Sequence, residues 1–212
     1  MQMKLNIGCG SVHPNGWMNV DYSLGARFTR IPFYDFINRR MKLFDLDPDG
    51  NPRQWDGVRI HNLQKRFPWA DESVDVVYAS HILEHFSKEE GLLLLKECRR
   101  VLKKGGIIRI VVPDLKVLVD RYRDGVLRAD DFVESLGVLY LSRNSAIKDF
   151  LSVFMQYPHK CMYDTPTLLA VLDSHGFEAK SKDPFESSIE GIRDIELEGR
   201  TEDAVIVEGT KK

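Results

Sequence analysis

Two glycines and one carboxylate near the amino terminus have residue types and a spacing that suit a ligand site. Gly8 and Gly10 lie in the stretch LNIGCG at positions 5–10, and the stretch MNVD ends at Asp21. Because glycine has no Cβ atom, a backbone bend made from it allows a ligand to approach closely. A carboxylate that ends the neighbouring strand accepts hydrogen bonds from a ribose diol. The pattern predicts a site for a ligand that contains a nucleoside.

The sequence after the glycines argues against a dinucleotide. A dinucleotide fingerprint has a third glycine, a helix whose N-terminus holds the pyrophosphate, and an acidic residue about 20 positions further on. Here Pro14 and Asn15-Gly16 favour a turn, and Asp21 comes sooner than that spacing requires. S-adenosylmethionine has a ribose but no pyrophosphate and fits better. An ordinary strand–helix turn without a ligand is the alternative.

Composition and charge narrow the class of protein. The chain has 212 residues and a formal net charge of −2, so we expect no nucleic-acid partner. No apolar run approaches the ~18 residues of a membrane span, and the N-terminus lacks a signal-peptide pattern. Cys9, Cys98 and Cys161 are too few and too widely spaced for a disulfide framework. We expect a cytoplasmic protein without a membrane segment, whose oligomeric state is open.

Alternating strand and helix patterns predict the elements that position these residues. Strands are expected at 4–7, 17–21, 58–62, 74–79, 107–112, 177–181 and 204–208. One helix begins at the capping box of Ser87 and Glu90 and ends at Gly105. Further helices begin at Asp114 and Thr165, which we predict as N-caps. The strand–helix–strand order indicates parallel pairing through right-handed crossovers.

The same patterns predict how the whole chain is organised. We expect one domain over residues 1–212, because no linker, repeat or low-complexity tract interrupts it. A helical insertion is predicted at about 125–162, and a polar loop or hairpin at 182–202. Residues 28–44 mix aromatic and basic side chains, which suits a cover over the ligand, a dimer surface or plain core equally.

Five ordered blocks of sequence resemble a known family. The blocks are LNIGCG, NVD, FPWADESVDVVYASHILEHF, ECRRVLKKGGIIRIVVPDL and LDSHGFEA. Together they are similar to class I S-adenosylmethionine-dependent methyltransferases, especially a type 11-like subgroup with a GCG turn and an LEH segment. The resemblance covers residues 4–115 and, more loosely, 163–208. It implies an α/β fold with a Rossmann-like, doubly wound seven-stranded sheet, mostly parallel with an antiparallel last strand.

The resemblance also implies which residues bind the cofactor, S-adenosyl-L-methionine. These are Asn6, Gly8, Cys9, Gly10, Asp21, Asn62, Leu63, Ala79, Ser80 and His81. The glycine turn would face the methionine end, and Asp21 would hold the ribose hydroxyls. Asn62 and Leu63 would border the adenine. Ala79, Ser80 and His81 would line the floor beneath the sulfonium. Asn6 and Asn62 stand where the family often has acidic residues, so they would act without charge.

His81, Glu84 and His85 form the pattern H-x-x-E-H. On a helix the two histidines would share a face, as in inverted zinc peptidases, so a metal-dependent hydrolase is one alternative function. Because the pattern follows a sheet strand inside a methyltransferase-like block, we favour Glu84 and His85 as braces of a helix turn and predict no metal site. His81 is the candidate catalytic residue, since an imidazole can orient an acceptor hydroxyl or take its proton.

Positions 45–56 match a calcium-loop pattern, with a glycine at the sixth place and an acid at the twelfth. Pro52, Arg53 and the short side chain of Asp56 depart from that pattern. A solvated turn is the favoured interpretation, and whether the loop binds a cation stays open.

The acceptor of the methyl group is the feature that the sequence specifies least well. His85, His159 and Tyr163 are candidate substrate contacts, because a polar and aromatic cluster after a helical insertion suits an acceptor-site wall. The alternative for His159 and Tyr163 is that they belong to a packed connector without contact to a substrate. We predict methyl transfer to oxygen or nitrogen of a small-molecule or glycan-like acceptor. A cofactor-binding module without catalysis is the competing function.

Overall fold

The fold is built on one central sheet. The computed structural model describes residues 2–28, 31–34, 36, 55–139 and 157–212. The strands are β1 (Lys4–Ile7), β2 (Met18–Asp21), β3 (Arg59–Ile60), β4 (Val74–Ser80), β5 (Leu102–Pro113), β6 (Phe177–Ser181) and β7 (Ala204–Lys211). The α-helices are α1 (Leu24–Phe28), α2 (Lys88–Val101), α3 (Leu115–Arg123), α4 (Ala129–Ser135), α5 (Thr165–Ser174), α6 (Ile192–Ile195) and α7 (Glu198–Thr201). A 3₁₀ helix, Leu83–His85, follows β4. Among the described helices, none is both long and apolar enough to cross a membrane.

The seven strands are ordered β3-β2-β1-β4-β5-β7-β6. The first five in that order run parallel, and β7 is antiparallel to both β5 and β6. After β1 the chain adds β2 and β3 on one side of β1. It then crosses the sheet, and β4 pairs with the opposite side of β1. The carboxyl ends of β1 and β4 therefore flank a topological switch point, where sheets of this kind bind ligands. The predicted fold class is confirmed.

Both faces of the sheet are covered by apolar side chains. Along β4, Val77 and Ala79 belong to a core shared with α2 and α5, whereas Val76 and Tyr78 belong to a second core that includes residues of α6. This alternation follows from the two-residue repeat of a strand. Each fully buried aliphatic side chain contributes about 1.5–3 kcal/mol. The two cores pack against both faces of the strands whose ends form the site.

The helix α2 begins as the sequence predicts and ends earlier. The Ser87 side chain accepts from the Glu90 N–H and the Glu90 carboxylate accepts from the Ser87 N–H, so the capping box is confirmed. The prediction that Gly105 ends the helix is wrong. Leu102 is already extended and pairs with Val74, because the chain must turn at once into β5.

Other boundaries also differ from prediction, among them that of β5, which begins at Leu102 rather than at Ile107. The cap of α5 is Asp164, whose carboxylate accepts the Thr167 N–H at 2.9 Å, and Thr165 is the first helical residue. The third strand has only two residues, since pairing with β2 ends at Ile60. The predicted loop at 182–202 contains the short helices α6 and α7. The calcium-like positions 45–54 and residues 140–156 of the predicted insertion lie outside the described residues.

A buried ion-pair network fixes the segment that carries those short helices. Arg109 on β5 is fully buried and donates to both oxygens of Glu196 at 2.7 and 2.8 Å. It also donates to Glu208 Oε1 at 2.9 Å and to the carbonyls of Asp183 and Glu186 at 3.2 and 3.0 Å. A buried guanidinium requires such a full set of acceptors. The network holds the chain before α7 against the sheet.

Candidate functional site

A sharp bend of the backbone follows β1. Gly8 and Gly10 have φ of +63° and +55°, in the left-handed region that glycine adopts without strain. We call residues 8–10 the glycine bend. The Cys9 N–H between them donates to the Val20 carbonyl at 3.1 Å, which attaches the bend to β2. A Cβ atom on Gly8 would lie 2.6 Å from Ile82 Cγ1, so the position admits no larger residue without movement.

Asp21 lies directly against the glycine bend. Its Oδ2 accepts the Gly10 N–H at 2.9 Å and its Oδ1 accepts the Ser23 N–H at 2.6 Å. The residue is only 7% exposed. An ionised carboxylate offers about four acceptor positions, so these bonds leave about half of them for a ligand. The carboxylate and the bend form one unit at the switch point of the sheet.

Side chains within the sheet brace this unit. The Asn6 amide donates to the Val12 carbonyl at 2.8 Å and to Asn19 Oδ1 at 2.9 Å, so both of its amide hydrogens serve the protein. Cys9 is buried, and burial together with the Asp21 charge raises the pKa of its thiol to about 12. Cys9 is therefore a neutral packing residue at neutral pH.

The end of β3 meets the end of β2 at the same edge. The His61 N–H donates to the Asp21 carbonyl at 3.0 Å, which places the following Asn62 and Leu63 beside the carboxylate strand. Asn62 Oδ1 accepts the Gln64 N–H at 2.9 Å in a local turn, and Leu63 is buried. The structure thus brings an amide and an apolar side chain to the edge that holds Asp21.

The end of β4 brings Ala79, Ser80 and His81 to this edge. Ala79 and Ser80 are buried, and Ser80 Oγ has no hydrogen-bond partner in the described part of the chain. His81 has a φ of +52°, a left-handed conformation that a non-glycine residue rarely adopts. Its N–H donates to the Val111 carbonyl at 2.9 Å. The chain therefore leaves the sheet abruptly at His81.

Both ring nitrogens of His81 face protein oxygens. Nε2 lies 2.8 Å from the Arg200 carbonyl and must donate to it, and Nδ1 lies 3.3 Å from Glu84 Oε1. Burial lowers the pKa of His81, but the Glu84 carboxylate and the Arg200 carbonyl outweigh burial and raise it overall. His81 thus links the end of β4 to α7 and to Glu84.

Glu84 is the least satisfied polar side chain of the region. It is 0% exposed, and neither carboxylate oxygen makes a hydrogen bond within the described ranges. The His81 contact at 3.3 Å pairs opposite charges only when the imidazole is protonated, and its geometry is not that of a hydrogen bond. His85 next to it has an Nδ1 atom that is buried and equally without a partner among described residues, and burial lowers the pKa of this imidazole.

The candidate acceptor residues occupy two different environments. His159 is partly exposed, its ring lies 5.1 Å from that of His85, and its Nδ1 lies 2.8 Å from the Leu136 carbonyl. Tyr163 is buried in the main core, and burial raises the pKa of its hydroxyl. The structure brings His85 and His159 together and gives Tyr163 a packing position.

The sequence patterns missed Arg200. Its side chain reaches the glycine bend, where a Cβ on Gly10 would lie 3.4 Å from Arg200 Nη2, and its carbonyl accepts from His81. The residue lies in a segment with no helical or strand periodicity, so no local signal marked it.

Comparison with protein families decides the identity of the chain. The model of a family described as a methyltransferase domain matches residues 5–110, which is half of the chain. The chain belongs to this methyltransferase family. Its cofactor is S-adenosyl-L-methionine. The matched region contains the glycine bend, Asp21 and the end of β4. No protein with a curated description matches the methyltransferase in sequence.

Solved structures share its fold. A SAM-dependent methyltransferase from Methanosarcina mazei is 16% identical with a TM-score of 0.52, over 99% of this chain and 92% of that one. The YcgJ protein of Bacillus subtilis is 12% identical with a TM-score of 0.51, over 100% and 92% of the two chains. The PH0226 protein of Pyrococcus horikoshii is 14% identical with a TM-score of 0.50, over 100% and 83%. At such identities the similarity concerns the fold alone.

Proposed function

We propose that this methyltransferase holds S-adenosylmethionine with the glycine bend and Asp21, and methylates oxygen or nitrogen of a small-molecule or glycan-like acceptor. The observation that carries the proposal is the pairing of the Asp21 carboxylate with the Gly10 N–H at 2.9 Å. A buried carboxylate with spare acceptor positions, next to a bend without side chains, suits a ribose diol. The residues present therefore fit the cofactor.

In our proposal the other predicted residues complete the cofactor-binding site. Asn62 and Leu63 would border the adenine, because the His61–Asp21 backbone bond sets them beside Asp21. Ala79, Ser80 and His81 would form the floor beneath the sulfonium. Asn6 holds the bend in shape through the Val12 carbonyl. Its role in our proposal is therefore to position the bend.

Methyl transfer requires few reactive groups from the protein. When bound, the cofactor would supply a methyl group on a positively charged sulfur, so that an acceptor attacking in line would release a neutral thioether. The chain must then position the acceptor and exclude water. A base is needed only if the acceptor carries a proton that it must lose. His81 is our candidate for that task, and one of its two protein contacts must open before its ring can bind an acceptor.

Charge and side-chain type support the acceptor class. A formal net charge of −2 does not suit a polyanionic acceptor such as nucleic acid. Tyr157 is 52% exposed and lies in the same connector as the partly exposed His159. Small-molecule sites combine aromatic side chains with a few polar groups, as this connector does. The three free cysteines support our proposal that the protein works in the cytoplasm.

Two measurements on the purified protein test the proposal. Calorimetric titration with S-adenosylhomocysteine should show one binding site per chain. Incubation with S-adenosylmethionine carrying a labelled methyl group and a panel of sugars, phenols and amines should then label an acceptor. Absence of S-adenosylhomocysteine binding would refute the proposal. Binding without any labelled acceptor would favour the cofactor-binding module instead.

A further inference from the structure

Three potential metal ligands meet just beyond the end of β4. Glu84 and His85 lie on the 3₁₀ helix, and His159 comes from the connector that precedes α5. One ligand atom from each lies within 4.8 Å of the others. Two imidazoles and one carboxylate are a common ligand set for zinc and related divalent metals.

The burial of Glu84 is unfavourable without a cation. A carboxylate that is 0% exposed and makes no hydrogen bond inside the described ranges has lost its hydration without replacement. The contact with His81 Nδ1 at 3.3 Å does not compensate both oxygens. A divalent ion would supply the missing positive charge and ligate the carboxylate directly.

The two histidines are arranged as metal ligands usually are. His159 Nδ1 lies 2.8 Å from the Leu136 carbonyl, so it carries the proton and leaves Nε2 with a free lone pair. This ring is seated on Gly137, where a Cβ would lie 2.7 Å from Nδ1. His85 Nδ1 is buried and lacks a hydrogen-bond partner in the part of the chain described, so this nitrogen has no competing contact there.

We propose that Glu84, His85 and His159 bind one divalent transition-metal ion, with Zn²⁺ as its representative. The H-x-x-E-H pattern suggested His81 as a zinc ligand only in the hydrolase alternative, and the favoured prediction had no metal site. His81 instead faces the Arg200 carbonyl and Glu84, whereas His159 comes from far along the chain to complete the set.

The ion would link the 3₁₀ helix to the connector before α5, and backbone hydrogen bonds already join these two segments. The Glu84 carbonyl accepts the N–H groups of Lys160 and Cys161 at 2.7 and 3.1 Å. Three protein ligands on Zn²⁺ leave a fourth position for water or an oxygen of another molecule. Because His85 and His159 are partly exposed, the site has an entry route from solvent.

Metal titration tests the site without reference to methyl transfer. Protein freed of its purification tag and of chelator should bind one Zn²⁺ per chain in calorimetry. Co²⁺ should give visible absorption bands, and Mg²⁺ should not compete, because imidazole ligands suit softer ions. His159→Gln and Glu84→Gln should weaken Zn²⁺ binding by well over ~10-fold, since loss of even an outer-shell partner costs 10–100-fold.

His175→Gln is the matched control. His175 lies at the end of α5, where its Nδ1 is 2.7 Å from the Val171 carbonyl, and the variant should bind Zn²⁺ as the unmodified protein does. Circular dichroism establishes whether Glu84→Gln folds; if it does not, His159→Gln alone decides. The proposal is overturned if the unmodified protein does not bind Zn²⁺ at one per chain, or if folded His159→Gln binds it equally well.

Discussion

Asp21 performs two tasks with one side chain. Its oxygens accept the N–H groups of Gly10 and Ser23, which holds the glycine bend in place. In our proposal the remaining acceptor positions bind the ribose. Both tasks need a carboxylate, since an amide of the same shape has one acceptor oxygen and no charge.

Asp21→Asn should therefore weaken binding of S-adenosylhomocysteine by about 1–3 kcal/mol, the range for hydrogen bonds to a charged group. That is roughly a 5- to 150-fold rise in the calorimetric dissociation constant. Asp120→Asn is the control, because this partly exposed carboxylate of α3 pairs only with Lys116 and Arg123 of its own helix in the described part of the chain, and it should leave the constant unchanged. Equal affinities of the two variants would contradict the ribose assignment.

Gly8→Ala tests the need for a residue without Cβ at the bend. The new methyl group would meet Ile82 at 2.6 Å, in addition to the strain of a φ of +63°. Gly16→Ala is a matched control, because Gly16 has a φ of +80° and nothing within 4 Å of its Cβ position. Backbone strain costs about 1–2 kcal/mol in both, and overpacking adds about 1–3 kcal/mol at Gly8. Equal losses in urea unfolding would show that Ile82 moves freely.

At the residue scale, local chemistry was predictable and long-range partners were not. The bend and Asp21 follow from residue types that lie close together in the sequence. The contact between His81 and the Arg200 carbonyl joins residues 119 positions apart, and His159, near the end of the predicted insertion, lies close to Glu84. No pattern in one sequence specifies such pairs.

At the scale of elements, α2 positions the end of β4 by packing against the sheet. Its first turn depends on the capping box, in which the Glu90 N–H donates to Ser87 Oγ at 3.3 Å and the Ser87 N–H to Glu90 Oε2 at 2.8 Å. The box satisfies two N–H groups that otherwise have no acceptor within the helix.

Ser87→Ala should lower the free energy of unfolding by about 1 kcal/mol, the usual cost of losing a side-chain cap. Thermal unfolding followed by circular dichroism measures this loss. Ser135→Ala, at the end of α4, makes the same chemical change away from an N-cap and should stay within about 0.5 kcal/mol of the unmodified protein. A Ser87 variant as stable as the Ser135 variant would rule out a stabilising cap.

Periodicity explains which elements were predicted. The central strands and α2 are long enough for the periodic spacing of their apolar residues to be recognised. The short helices α6 and α7 have four residues each and bury isolated side chains such as Ile192 and Ile195, so 182–202 resembled a loop. Their position depends on Arg109 rather than on local sequence preference.

At the scale of the molecule, the Arg109 network joins the sheet to the chain before α7. Arg109→Met leaves the carboxylates of Glu196 and Glu208 buried beside an apolar side chain. We expect a loss of about 3–5 kcal/mol in the free energy of unfolding, as for other broken buried ion pairs. Arg123→Met removes an exposed arginine of α3 and should cost less than about 1 kcal/mol in the same urea titration. Similar losses in both would contradict a structural role for the network.

Parallel pairing was predictable because strand–helix–strand units have one common handedness, and the seven-stranded sheet with its antiparallel last strand came from the family resemblance. The organisation of the whole chain as one domain, with an insertion at about 125–162, stays a prediction. The identity of the acceptor also depends on contacts that sequence patterns do not reveal, since our proposed reaction relies on positioning rather than on one reactive group.

A crystal structure with S-adenosylhomocysteine tests the central claim most directly. The account predicts both ribose hydroxyls within ~3.2 Å of the Asp21 carboxylate, and the homocysteine part beside the glycine bend. A bound nucleoside whose ribose makes no hydrogen bond to Asp21, or that lies at another edge of the sheet, would contradict it.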